Sequence, residues 1–122
     1  MNHTLCWTDI PVRDLDRATA FYSAVLGEAV PRQSGGGQDF GLLPGYDKGV
    51  SGCLSAGPDQ VPSHHGPLIY LSMNGRLDDA LKAAVAAKGK VLRPKHDIGP
   101  HGFRAIIEDS EGNRIALHSM TA

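Results

Sequence analysis

Apolar residues follow two spacings along this chain, and each spacing occurs in both halves. Apolar and polar positions alternate over residues 5–12, as in a half-buried strand, and a strand pattern returns over 67–73. After each strand, apolar residues recur every three or four positions, which predicts helices over 15–26 and 76–88, closed by Gly27 and Gly89. Further short strands are predicted at 28–33, 38–43, 50–56, 90–94, 102–108 and 113–119.

The two halves therefore have the same order of elements, β-α-β-β-β. The segment Leu15-Asp16-Arg17-Ala18 has a counterpart in Leu77-Asp78-Asp79-Ala80, and a glycine follows both at the same distance. Such a repeat is one supersecondary unit, and two copies pack together because each alone leaves an apolar face uncovered. We predict one α+β domain enclosing a concave cavity, with module 1 over about 1–57, a linker at 58–66 and module 2 over about 67–122.

Composition narrows the class of partner. A net charge of −1 over 122 residues gives no electrostatic footprint for nucleic acid or for an anionic membrane. No apolar run approaches the roughly 20 residues that cross a bilayer, and residues 1–4 lack the features of a signal peptide. We therefore expect a cytoplasmic protein that binds neither nucleic acid nor membrane. Cys6 and Cys53 have no zinc-type spacing and are expected as small buried residues.

Two segments of the chain resemble a known family. The segment from Asp9 to Tyr22, followed by Val25-Leu26-Gly27, resembles the opening of vicinal-oxygen-chelate proteins, the glyoxalase, bleomycin-resistance and extradiol-dioxygenase superfamily. The segment from Glu108 to His118 resembles the last hairpin of that family. The pattern from His101 to Ser119 is similar to that of the uncharacterised enzymes related to lactoylglutathione lyase, which makes them the subgroup that the chain most resembles. The resemblance implies two βαβββ modules forming a cupped mixed-sheet barrel, usually in a homodimer. It also implies a small molecule bound in the cup, often at a divalent metal.

The resemblance further implies where such a metal would be bound. Metal-dependent members place a His or Glu on the inner face of the first and last strands of each module, which suits a divalent Lewis acid. Carried over to this chain, the four positions are Trp7, Leu54 (or its neighbour Cys53), Leu68 and Ala116. None of the first choices can hold a hard metal ion. We therefore expect no standard metal site and no cofactor, and glyoxalase I and extradiol dioxygenase activities are disfavoured.

Strand alternation predicts a second set of residues that face the cup. Positions two residues from the implied ligand positions point to the same side, which adds Asp9, Tyr70 and His118. His118 can then act as a general base near neutral pH, with Asp9 orienting it and Tyr70 assisting. Two alternatives to this role stay open. In the first, Asp9 and His118 form a displaced metal site with only two ligands. In the second, both are ordinary structural residues.

Two function classes fit these residues. The first is a metal-independent lyase or isomerase acting on a compact oxygenated or carbonyl substrate, with His118 carrying the proton. The second is a non-catalytic binder of the bleomycin-resistance kind, in which Trp7 stacks on a drug or metabolite. In either class the expected cavity residues are Trp7, Leu54, Leu68, Ala116 and His101, the last because it flanks a loop at the barrel mouth. A pure interaction module, the third alternative, predicts no ligand-sized cavity.

Overall fold

The computed structural model describes residues 4–122 and confirms the repeat of βαβββ units. Residues 1–3, where predicted module 1 begins, lie outside the described residues. Module 1 comprises β1 (Trp7–Pro11), α1 (Leu15–Leu26), β2 (Arg32–Gly35), β3 (Gln38–Leu42) and β4 (Ser51–Ser55). Module 2 comprises β5 (Ile69–Ser72), α2 (Leu77–Ala86), β6 (Lys90–Asp97), β7 (Phe103–Glu108) and β8 (Arg114–Ser119). A short 3-10 turn, Gly99–His101, joins β6 to β7.

Each module folds its strands into one four-stranded mixed sheet. Sheet 1 has the order β1-β4-β3-β2, and sheet 2 has the matching order β5-β8-β7-β6. In both sheets the first strand runs parallel to the last, and the remaining pairs are antiparallel. Within residues 4–122 no strand of one sheet pairs with a strand of the other, so β1 and β5 are edge strands. The α+β class is confirmed, and the sheets are cupped without closing into a barrel.

The two helices join the modules through one core. Helix α1 packs on sheet 1, α2 packs on sheet 2, and the helices contact each other. Their buried side chains form a single cluster with the inner residues of both sheets, including Ile10, Phe21, Val25, Leu54, Met73, Leu77, Ala80, Ile107, Ile115 and Leu117. One face of each sheet is thus covered by helix, and we call the opposite face the open face. No helix within residues 4–122 is long and apolar enough to span a membrane.

The helix ends show one difference from the predicted pattern. Asp14 caps α1 by accepting the backbone N–H of Arg17 at 3.0 Å, and Gly27 closes that helix at a φ of 72°. After α2 the positive φ of 80° belongs to Lys88, one residue before the predicted glycine. Gly89 is required for another reason: a Cβ there would lie 2.8 Å from the Phe21 ring and 2.8 Å from the Glu108 carbonyl oxygen. Gly89, which was predicted to end α2, therefore lies where the two modules approach each other closely.

The turn between β7 and β8 holds module 2 against the start of α1. Glu111 accepts the backbone N–H groups of Arg13 and Asp14, both at 2.8 Å, and pairs with Arg17 at 2.7 Å. The Glu111 side chain is fully buried. Burial alone would raise its pKa, but the hydrogen bonds from Arg17, Asp14, Ser110 and Arg13 outweigh burial and lower the pKa of Glu111 to about 2. One carboxylate therefore joins the last hairpin to the first helix.

A second buried carboxylate completes this junction. Asp109 accepts the hydroxyl of Tyr22 in α1 and the backbone N–H groups of Glu111 and Asn113. The amide of Asn113 in turn donates to the carbonyl of Pro11 at 2.7 Å, at the end of β1. Burial, followed by the neighbouring Asp109 charge, raises the pKa of Tyr22. The hairpin turn thus contacts both β1 and α1 through hydrogen bonds.

We predict that Glu111→Gln lowers the free energy of unfolding at neutral pH by about 1–3 kcal/mol, because charge-assisted hydrogen bonds are lost at a buried site. The pKa of Glu111 is about 2 in the folded chain against a reference of 4.5, so its contribution is complete above about pH 5 and is lost as the pH falls towards 2. Urea unfolding of wild type and variant should show a stability gap that narrows from pH 7 to pH 3. Glu28→Gln, at an exposed glutamate, serves as the control. A gap that stays constant with pH would rule out this role for the charge.

Candidate functional site

Strand register decides which side chains reach the open face of sheet 1. Asp9 pairs with Cys53 and Trp7 pairs with Ser51, so these side chains share the open face. Ile10 pairs with Leu54 on the opposite, helix-covered face, where Leu54 is fully buried in the core. Of the two residues considered at this position, Cys53 therefore lies on the open face. Our expectation that Leu54 lines the cup is wrong. The physical reason is the two-residue alternation of β4.

Asp9 is the centre of a small cluster on this face. Its Oδ1 accepts the indole N–H of Trp7 at 3.1 Å and the thiol of Cys53 at 3.2 Å. Burial, then the hydrogen bond to Asp9, raises the pKa of Cys53 to about 11. Cys53 is therefore a protonated thiol that donates to the carboxylate, and it is buried as expected, whereas Cys6 is exposed.

A second cluster lies on the open face of sheet 2. Tyr70 pairs with Ala116 and His118 pairs with both Ser72 and Arg104, so Tyr70, Arg104 and His118 point to one side. The Tyr70 and His118 rings pack edge to face with centroids 6.3 Å apart. Arg104 donates through Nη1 to the Tyr70 hydroxyl and through Nε to Nε2 of His96 at 3.0 Å. His118 Nε2 lies 2.6 Å from the carbonyl oxygen of His101.

The partners in this cluster determine where the protons are. A carbonyl oxygen only accepts, so Nε2 of His118 donates to His101, and Nδ1 carries the lone pair of the neutral ring. A guanidinium only donates, so Nε2 of His96 accepts from Arg104 and its Nδ1–H donates to the carbonyl of Pro94 at 2.8 Å. The Tyr70 oxygen accepts from Arg104, which leaves its own O–H available to another acceptor. Among the hydrogen bonds of residues 4–122, none involves Nδ1 of His118.

Two larger cavities adjoin these clusters. The sheet-2 cavity, of about 550 Å³, is lined by Tyr70, Ile98, His101, Arg104 and His118. The edge cleft, of about 580 Å³, lies between the edge strands β1 and β5, and its apolar lining includes Leu5, Trp7, Val50, Leu68 and Tyr70. Tyr70 lines both cavities. A smaller third cavity of about 260 Å³ contains Asp9 together with the linker residues Val61 and His65.

The expected residues are therefore only partly brought together. Tyr70, His101 and His118 line one cavity, and Trp7 and Leu68 line the neighbouring cleft. Ala116 faces the same side as Tyr70 but is fully buried beneath the surface of the sheet. No hydrogen bond joins Asp9 to His118 within residues 4–122, and Asp9 does not line the sheet-2 cavity. The group that orients His118 is the His101 carbonyl in place of the expected carboxylate.

The residues at the implied metal positions do not fit a hard divalent ion. Trp7, Cys53, Leu68 and Ala116 supply one protonated thiol and neither an imidazole nor a carboxylate. Across the described range 4–122, no group of three or more His, Cys, Asp or Glu side chains is placed to hold a metal ion. These four positions therefore offer a hard divalent ion no suitable set of ligands.

Arg104 and His96 are site residues that the sequence reasoning missed. The alternation of β7 could have identified Arg104. Ala105 and Ile107 are buried on the covered face, so Arg104, which pairs with His118, lies on the open face. His96 joins the site because β6 extends to Asp97 and pairs His96 with Arg104. The bulges in β6 change its register, and the sequence gives no sign of where they fall.

Comparisons with known proteins agree on the family and the fold. The sequence profile of the Glyoxalase/Bleomycin resistance protein/Dioxygenase superfamily matches residues 1–117. A Mycobacterium bovis protein named "Putative glyoxylase CFP32" is 33% identical over 110 residues, which are 89% of this chain and 41% of that protein. The chain thus spans less than half the length of this relative.

Solved structures give the same fold at low identity. A glyoxalase/bleomycin resistance protein from Albidiferax ferrireducens is 17% identical with a TM-score of 0.73, covering 96% of this chain and 98% of that one. The fosfomycin resistance protein FosX from Listeria monocytogenes is 18% identical with a TM-score of 0.70, covering 98% and 92%.

We predict that the neutral rings of His118 and His96 carry their protons on different nitrogens, because one faces a carbonyl and the other a guanidinium. Long-range ¹⁵N–¹H correlation spectra at alkaline pH should show His118 as the Nε2–H tautomer and His96 as the Nδ1–H tautomer. Arg104→Met removes one of the two partners that fix the His96 ring and should leave the tautomer of His118 unchanged. His96 already in the Nε2–H form in the wild type would contradict the hydrogen-bond chain described above.

Proposed function

Because the chain belongs to the Glyoxalase/Bleomycin resistance protein/Dioxygenase superfamily, we propose that it binds a small oxygenated organic molecule in the sheet-2 cavity and acts on it as a metal-independent lyase or isomerase. The observation that supports this is the state of His118. Its Nε2–H is held by the His101 carbonyl at 2.6 Å, and its Nδ1 has a lone pair beside a cavity of about 550 Å³. A ring oriented through one nitrogen and basic at the other is the arrangement of a general base.

The proposed reaction begins with proton abstraction from a carbon next to a carbonyl group. Nδ1 of His118 takes the proton, and the electron pair of the broken C–H bond moves onto the carbonyl oxygen as an enolate. The Tyr70 hydroxyl, whose oxygen already accepts from Arg104, donates to that oxygen and stabilises its charge. The His101 carbonyl stabilises the imidazolium that forms. For a hydroxy carbonyl substrate, an isomerase returns the proton to the former carbonyl carbon, while the proton of the substrate hydroxyl moves to the enolate oxygen and a new carbonyl forms. A lyase instead expels a leaving group from the β carbon, on the other side of the deprotonated carbon, as the enolate re-forms the carbonyl and a C=C bond is made.

We also propose that the protein is a homodimer. The edge strands β1 and β5 each have one side unpaired within residues 4–122. Large apolar side chains are exposed beside them: Trp7 is 43% exposed, Tyr70 46% and Leu5 72%. Unpaired edges bordered by exposed apolar surface favour association with a second copy. The cytoplasm remains our proposed location.

The second candidate is a binder without catalysis, and the edge cleft supports it. This cleft of about 580 Å³ is lined mainly by apolar side chains, with Trp7 and Tyr70 on its walls. The half-exposed Trp7 ring is oriented by its bond to Asp9 and is available for stacking. Under this alternative Trp7 is the main contact, and His118 contributes little.

We predict that His118→Ala reduces exchange of the carbon-bound proton by about 100-fold or more, because the general base is removed. The assay is ¹H NMR in D₂O with a panel of small hydroxy ketones and hydroxy aldehydes, which detects proton abstraction whatever the product. His64→Ala is the control, since the His64 side chain bonds only Glu108, and neither residue lines the sheet-2 cavity.

The same panel separates the two candidates. Under the binder alternative no compound exchanges its proton, and Trp7→Ala weakens ligand binding about tenfold or more while His118→Ala does not. Exchange that survives in the His118→Ala variant would disprove the proposed base.

A further inference from the structure

The guanidinium of Arg104 has no carboxylate partner in the sheet-2 cavity. Its two hydrogen bonds go to the Tyr70 hydroxyl and to the His96 ring, and its Cζ lies 5.9 Å from the centroid of the Tyr70 ring. Every ion pair within residues 4–122 involves another cation: Arg17, Arg32, His64, Lys90 or Lys95. The five residues that line the cavity include no acidic side chain. A partly buried positive charge therefore stands without a counter-ion.

The acidic residues of β6 and β7, Asp97 and Glu108, do not neutralise this charge. Asp97 ends β6 next to the lining residue Ile98, but its Oδ1 accepts the backbone N–H of Gly99 at 2.6 Å, and Asp97 does not line the cavity. Glu108, on the same strand as Arg104, is bonded to His64 and Lys90 at the other end of β7. His96, the immediate neighbour of the guanidinium, accepts its hydrogen bond as a neutral ring.

Arg104 also has donors to spare. Nε and one N–H of Nη1 are used, and within residues 4–122 no acceptor engages Nη2. Among the described residues, three N–H groups of this guanidinium therefore remain free, one on Nη1 and two on Nη2, and one from each nitrogen matches the two oxygens of a carboxylate or phosphate. The bond to His96 through Nε fixes the plane of the guanidinium, so little side-chain freedom remains to be lost on binding.

From these contacts we infer that the sheet-2 cavity recognises an oxyanion, with Arg104 binding the carboxylate or phosphate group of a small organic acid. The inference rests on the proposed function for its choice of cavity and adds a substrate class to it. The oxyanion is held at Arg104, the carbonyl oxygen of the same molecule lies at Tyr70, and the carbon that loses its proton lies at His118. Because Arg104 bonds Tyr70, the anchoring group and the donor to the enolate are held at a fixed separation.

The test measures binding of simple anions and needs no turnover. Inorganic phosphate, acetate and acetamide are titrated at constant ionic strength, and shifts of backbone amide NMR signals are followed. Phosphate and acetate should shift signals from residues 98–104 and 116–118. Acetamide, the neutral counterpart of acetate, should bind about tenfold or more weakly, because it offers the guanidinium no charge.

Variants separate charge from structure. Arg104→Gln should weaken phosphate and acetate binding about tenfold or more, and Arg104→Lys should restore part of it. Arg93→Gln, at an exposed arginine on the adjacent strand β6, is the matched control and should bind as the wild type does. The amide spectrum of each variant verifies that the fold is retained.

Each remaining outcome is decisive. Equal binding of acetate and acetamide, shifts confined to another part of the chain, or unchanged binding by Arg104→Gln would overturn the oxyanion inference. If proton exchange from neutral hydroxy ketones still depends on His118 in that case, the proposed base stands and only the substrate class is wrong. If the wild-type protein shows neither anion binding nor His118-dependent proton exchange, both proposals are rejected.

Discussion

The buried Glu111 carboxylate is the interaction on which the arrangement of the two modules most depends. It sits in the turn between β7 and β8, and it accepts two backbone N–H groups at the start of α1 while pairing with Arg17. Asp109, two residues earlier, accepts the Tyr22 hydroxyl from the same helix. These bonds are directional and buried, so they fix the orientation of the hairpin more closely than apolar packing would. Strands β7 and β8 of this hairpin also carry Arg104 and His118.

The open faces carry the chemistry because the helices occupy the other two. Helix α1 covers sheet 1, α2 covers sheet 2, and the side chains on the covered faces form one core. Alternation leaves Trp7, Asp9 and Cys53 on one open face and Tyr70, Arg104 and His118 on the other. Each face has its own hydrogen-bond network. In sheet 1 the acid is engaged by an indole and a thiol, whereas in sheet 2 a cation is left without an acid.

The sequence predicted the architecture well because the repeat and its end signals are local. Gly27 ends α1 as expected, and the paired βαβββ order is confirmed. The site was harder to predict, because it depends on register between strands. A shift of one residue at β4 moves Leu54 from the expected cup into the core, and two bulges in β6 bring His96 to Arg104. Asp9 and His118 lie on different sheets, a separation that depends on how the modules pack and not on either strand alone.

We propose that this member of the superfamily works without a metal. Native mass spectrometry of protein purified without an affinity tag, before and after chelation, tests this most directly and gives the oligomeric state in the same spectrum. We expect a dimer whose mass matches two bare chains, unchanged by chelation. A divalent metal bound near one per chain and removed by the chelator would contradict the claim, and would show that side chains outside the four implied positions hold it.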